Sequence, residues 1–117
     1  MTVKEFYYAI GSSYDQAMGR LLSEERIKKY LGKFVEKDEF VPINNFFEAK
    51  TYEEAFRAVH SLKGMALNLE LGPVAESSSA LCEEVRHGKP DKDVNGMIAD
   101  LKEKYYSTVE LIKQIEE

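Results

Sequence analysis

The chain has 117 residues, 44% hydrophobic and 32% charged, which suits one soluble domain built on one core. A formal net charge of -5 argues against broad attraction to nucleic acid, which needs a surplus of Lys and Arg on one face. A single cysteine, Cys82, excludes an intrachain disulfide, and with only two histidines it gives no zinc-finger spacing.

In chain order, Thr2 suits the cap of a short first helix carrying Val3, Phe6, Tyr7 and Ile10 on one side. Gly11-Ser12-Ser13 breaks it, and a second stretch from Tyr14 carries Ala17, Met18 and Leu21. Ser23 is an N-cap, with Glu24 and Glu25 in a favourable first turn. Ile27, Tyr30, Leu31 and Phe34 form the core side that follows. Pro42 marks a less regular segment, with a short helix carrying Ile43, Phe46 and Phe47 after it.

The clearest helix begins at Thr51, which has the spacing of a capping box with Glu54. Its apolar stripe is Ala55, Val59, Leu62, Ala66 and Leu69. Gly72-Pro73 ends that helix and opens the next, glycine suiting a left-handed position and proline a first turn. The following stripe is Val74, Ser78, Leu81 and Val85, stopped by Gly88 and Pro90. Asp91 or Asp93 caps the last helix, with Asn95-Gly96 in its first turn and a stripe running from Val94 through Ile98, Leu101, Tyr105, Thr108 and Ile112 to Ile115. The expectation is an all-α domain over 1–117, an antiparallel up-down four-helix bundle with additional short N-terminal helices. Its bundle helices fall at about 23–37, 51–70, 73–87 and 93–116.

The helix from Thr51 has a second face. His60, Lys63, Gly64 and Leu67 stand at zero, three, four and seven, and Phe56 and Arg57 extend that side by one turn. The core stripe runs beside this face, which sets His60 at the surface. An imidazole nitrogen is a good nucleophile at cell pH, because an unperturbed histidine titrates near ~6.5. Lys63 can offset charge on phosphoryl oxygens, and phosphoryl transfer needs chiefly positioning and electrostatic stabilisation. Gly64 sits mid-helix at a cost of about 1 kcal/mol relative to alanine, so it calls for either close helix packing or clearance for a partner. Phe56 and Leu67 offer an apolar docking surface around the charged centre.

The run Ala55-Phe56-Arg57-Ala58-Val59-His60-Ser61-Leu62-Lys63-Gly64-Met65-Ala66-Leu67-Asn68-Leu69 resembles the signature of histidine phosphotransfer (HPt) domains: histidine, then an apolar residue, lysine and glycine at plus two, three and four. Leu81 to Gly88 resembles that family's next helix and its end, so the likeness covers about residues 51 to 88. The length and helix count are similar to those of stand-alone HPt proteins. The resemblance implies a four-helix bundle with His60 phosphorylated, Lys63 stabilising the phosphate and Gly64 giving clearance for a receiver domain. It implies response-regulator receiver domains and an upstream sensor kinase as partners. It also implies Mg²⁺ on the receiver and no nucleotide or other cofactor on this chain. Two positions depart from the family pattern. Glycine is common ten residues after the histidine, where this chain has Glu70. A polar residue is common on the neighbouring helix near the imidazole, where Cys82 stands, a weak hydrogen-bond partner.

Other sites rank lower. A di-metal bundle site wants Glu-x-x-His on two facing helices, and only Glu84 with His87 has that spacing. No Gly-rich phosphate loop is present, which disfavours an autonomous kinase. With neither a signal-peptide pattern nor an apolar run long enough to span a bilayer, the expectation is a cytoplasmic monomer that carries phosphoryl groups and is not itself an enzyme. The competing reading is a helical adaptor, or a vestigial HPt-like regulatory domain, that binds a receiver or kinase through the Phe56–Leu67 face without phosphoryl chemistry.

Overall fold

A computed structural model describes residues 1–116; Glu117, the last residue of the expected domain, lies outside the described residues. Among the described residues the chain is all-α, with seven helices and no strand. They are α1 (Val3–Ala9), α2 (Tyr14–Leu21), α3 (Glu24–Glu36), α4 (Phe40–Glu48), α5 (Tyr52–Asn68), α6 (Gly72–Val85) and α7 (Asn95–Ile112).

Short polar side chains start several of these helices. Thr2 and Glu5 form a full capping box on α1, Glu5 N–H donating to Thr2 Oγ1 at 3.1 Å and Thr2 N–H to Glu5 Oε1 at 2.8 Å. Ser13 and Ser23 cap α2 and α3 by accepting from Gln16 and Arg26 N–H. Asp93, of the two candidate aspartates, accepts from Asn95 N–H at 2.8 Å where α7 begins.

Three local expectations are corrected. The Thr51–Glu54 capping box does not form: Thr51 Oγ1 donates to the Phe46 carbonyl at 3.2 Å. The Thr51 N–H takes the same carbonyl at 3.0 Å, so this residue closes the end of α4 and its side chain is committed there. Pro42 lies in the first turn of α4, not in an irregular segment; its missing N–H has no intrahelical partner to lose there. Asp38 supplies that helix start, accepting from Phe40 and Val41 N–H at 2.9 and 3.0 Å. Finally, the left-handed residue between α5 and α6 is Glu70, at φ 57°, and not Gly72. Gly72 serves a close approach instead: a Cβ there would lie 2.6 Å from Ser12 Oγ, which accepts the Gly72 N–H at 3.0 Å.

The apolar stripes of α5 (Ala55, Val59, Leu62, Ala66, Leu69) and α6 (Val74, Ser78, Leu81, Val85) are buried along their whole length. Tyr30 is an exception on α3, 38% exposed, its ring flanked by the Lys29 and Lys33 ammonium groups, each 5.9 Å from the centroid. α5 packs on α6, α6 on α7, and α3 on α7, while α1 and α2 pack together and against α3. α4 is a structural side of the bundle and not an appendage, packing on both α5 and α7. At the α3–α4 joint the buried Tyr105 hydroxyl accepts from Glu39 N–H at 2.9 Å and donates to the Lys37 carbonyl at 3.2 Å. Burial pushes that phenol's pKa up, so it stays a donor.

Candidate functional site

α5 buries one side and turns the other outward. His60, Gly64 and Arg57 are exposed, Lys63 is half-buried, and Leu67 is 48% exposed despite being apolar. The helical periodicity that buries Val59 and Leu62 sets His60 beyond the edge of the core. All six residues singled out from the sequence therefore lie along one helix.

Phe56 is half-buried; it packs against the hydrophobic core and stacks on the His60 imidazole. The two ring centroids are 5.7 Å apart and the planes are inclined by 23°. Among the described residues the imidazole makes this stacking contact and no hydrogen bond. Arg57 is engaged by Glu53 one turn earlier, Nη2 to Oε1 at 2.9 Å, on an exposed surface. An added Cβ at Gly64 would meet no atom within 4 Å. Close helix packing therefore does not account for the glycine, and the space above it is open.

Cys82 on α6 is buried close enough to Lys63 to feel its charge. Burial pushes the thiol pKa up, the Lys63 ammonium opposes this, and the net direction is upward. Cys82 is therefore a protonated thiol, with neither the nucleophilicity nor the metal affinity of a thiolate.

The C-terminal end of α5 holds residues that sequence reasoning missed. It closes as a Schellman motif, with Leu71 N–H donating to the Ala66 carbonyl at 2.8 Å and Glu70 N–H to Leu67 at 3.3 Å. Glu70 occupies the left-handed position where glycine is favoured. Its carboxylate, only 15% exposed, pairs with Arg20 of α2 at 2.9 Å, and the same guanidinium donates to the Leu67 carbonyl. Tyr7 of α1 donates its hydroxyl to the Leu69 carbonyl at 2.7 Å. Burial, with Glu70 adding to it, holds the Tyr7 phenol well above its usual pKa. The available signal was Glu70 itself, at the position where the family commonly has glycine.

Among the described residues no group of three or more His, Cys, Asp and Glu side chains could hold a metal ion. His87 is exposed beyond the end of α6, and Glu84 has Lys92 at 3.7 Å. No helix is long and apolar enough to cross a membrane.

Comparison with curated proteins and with solved structures returned no significant match. A family match does exist, to the Hpt domain, over residues 18–116. Hpt domains are helical bundles that act as phosphocarrier modules of phosphorelays, not kinases, and they interact with receiver domains and kinases. That span takes in the whole of α3 to α7 and the exposed His60 face, and by it the chain belongs to the Hpt domain family.

Proposed function

We propose that this chain takes a phosphoryl group from a receiver-domain phosphoaspartate onto His60 and passes it to the aspartate of another receiver. The observation that carries this reading is the exposed imidazole of His60 with Lys63 and an unobstructed Gly64 one turn further along. The lone pair of a ring nitrogen forms the N–P bond while the P–O bond to the aspartate breaks. The carboxylate leaves and the proton of the other ring nitrogen goes to solvent. Onward transfer is the reverse, with a receiver carboxylate as nucleophile. Lys63 offsets charge on the three equatorial oxygens. Arg57, Gly64, Leu67 and the exposed edge of Phe56 meet the receiver, Leu67 supplying apolar contact.

In this reading the chain holds no cofactor. The Mg²⁺ ion sits on the receiver, and an upstream sensor kinase charges the first receiver. The chain works as a monomer in the cytoplasm, and it binds neither nucleic acid nor membrane.

The test is a transfer assay with a panel of prephosphorylated receiver domains, wild type beside His60→Gln. Acid-labile, base-stable label on the wild-type chain alone is the expected result. A folded wild-type protein that takes no label from any receiver would favour an adaptor that binds through the same face without chemistry.

A further inference from the structure

The orientation of the reactive imidazole needs a physical cause. A surface histidine with neither ring nitrogen bonded is free to change rotamer on the ps–ns timescale, and only part of that population presents a nitrogen in line with an incoming phosphorus. Cys82 on α6, whose thiol feels the Lys63 charge, is a buried protonated thiol and a poor hydrogen-bond partner. What the imidazole does have is the Phe56 face, one helical turn back, at 5.7 Å and 23°. Phe56 is itself held in place, being half-buried and packed against the core. Centroid distance and angle both fall within the offset-stacked arrangement that aromatic rings prefer.

From this stack we infer that Phe56 is a positioning residue for phosphoryl transfer, holding the His60 ring in the rotamer that attacks phosphorus. The inference rests on His60 being the phosphoryl acceptor. It assigns Phe56 a role apart from docking, because a stacked ring orients the nucleophile whichever donor arrives. The plane is the essential feature, and leucine, apolar and of similar reach, lacks it.

Phosphoramidate separates the two roles, since it brings no protein surface. Its P–N bond breaks as the imidazole N–P bond forms, ammonia leaves, and the proton of the other ring nitrogen passes to solvent. Phe56→Leu is expected to slow His60 phosphorylation by phosphoramidate about tenfold. It should lower the maximal transfer rate from a saturating phosphoreceiver by a similar factor, a loss that raising the receiver concentration does not recover. Phe56→Tyr, which keeps the plane, should stay within about twofold of wild type in both assays. The upfield ring-current shift of the His60 ring protons in NMR spectra should vanish in Phe56→Leu and persist in Phe56→Tyr. A Phe56→Leu protein with a wild-type phosphoramidate rate and a raised KM would confine Phe56 to docking and overturn the inference. Equal slowing by leucine and tyrosine would overturn it too. A wild-type chain that phosphoramidate does not label at His60 would instead sink the carrier reading, while the ring-current shift would still report whether the stack exists.

Discussion

The outer face of α5 and the C-terminal end of the same helix are built in opposite ways. Along the face, His60 has one stacking neighbour, Gly64 has open space above it, and Leu67 is half in water. At the end, two consecutive helices reach in: Arg20 takes the Leu67 carbonyl and the Glu70 carboxylate, and Tyr7 takes the Leu69 carbonyl. A surface proposed to receive another protein cannot cover its own groups. α5 is held instead by its buried stripe and by these contacts at its end. Residues 1–17, Tyr7 among them, precede the span matched to the Hpt family. α1 therefore adds a fastening outside the matched span to a helix that lies within it.

The largest expected effect is on the face. His60→Gln should abolish phosphoryl transfer while changing unfolding free energy by no more than about 0.5 kcal/mol, because an exposed side chain with no hydrogen bond contributes little to the fold. Urea unfolding beside the transfer assay checks both halves, and a large loss of stability would mean that the face is not as bare as it looks. At the helix end the sign reverses. Tyr7→Phe strips the buried Leu69 carbonyl of its donor and should destabilise by about 1–3 kcal/mol. Phosphorylation of His60 by phosphoramidate should survive in the folded fraction. Equal urea midpoints for Tyr7→Phe and wild type would remove α1 from the fastening. Smaller again is Gly64→Ala, which should stabilise the chain by about 0.5–1 kcal/mol, since the new methyl meets nothing and the helix gains propensity. Receiver affinity, measured by titration, should fall at the same time. Stronger or unchanged receiver binding would take Gly64 out of the docking surface.

The face was legible in the sequence and the end was not, and the reason is range. Ala55, Val59, Leu62, Ala66 and Leu69 repeat at three and four, so the buried side of α5 and the exposure of His60 follow from one helical period. Tyr7 and Leu69 are 62 residues apart, and nothing local in either segment announces their bond. The Thr51–Glu54 spacing misled because the same hydroxyl could serve the helix before it or the helix after it; the Phe46 carbonyl has it. Pro42 misled in the same manner, since a proline that stops a helix and a proline in a first turn read alike until Asp38 is seen accepting from Phe40 and Val41 N–H. The Phe56–His60 stack lay within reach, being four residues apart on one face, but spacing alone does not distinguish stacking from two independent surface rings.

The smallest expected effect sits where two opposing contributions meet. A non-glycine residue in the left-handed region costs about 1 kcal/mol, so Glu70→Gly relieves strain. The same change removes the partner of Arg20, whose side chain is 46% exposed, so solvent screening limits the pair to about 0.2–1 kcal/mol. The net change should therefore be a stabilisation of between zero and about 0.8 kcal/mol. Replacing Arg20 with methionine exposes what the near-cancellation conceals. Without the guanidinium, Glu70 keeps its strain and leaves a largely covered carboxylate unpaired, so Glu70→Gly in the Arg20→Met background should stabilise by about 1 kcal/mol or more. The double-mutant cycle over the four proteins measures the difference. A coupling of zero would mean that Arg20 acts through the Leu67 carbonyl alone, fastening the helix end without regard to the residue that turns the chain. A clear coupling would mean that glutamate is tolerated at this left-handed position because α2 delivers a cation to it, which ties the turn after α5 to the helix pair that precedes the bundle.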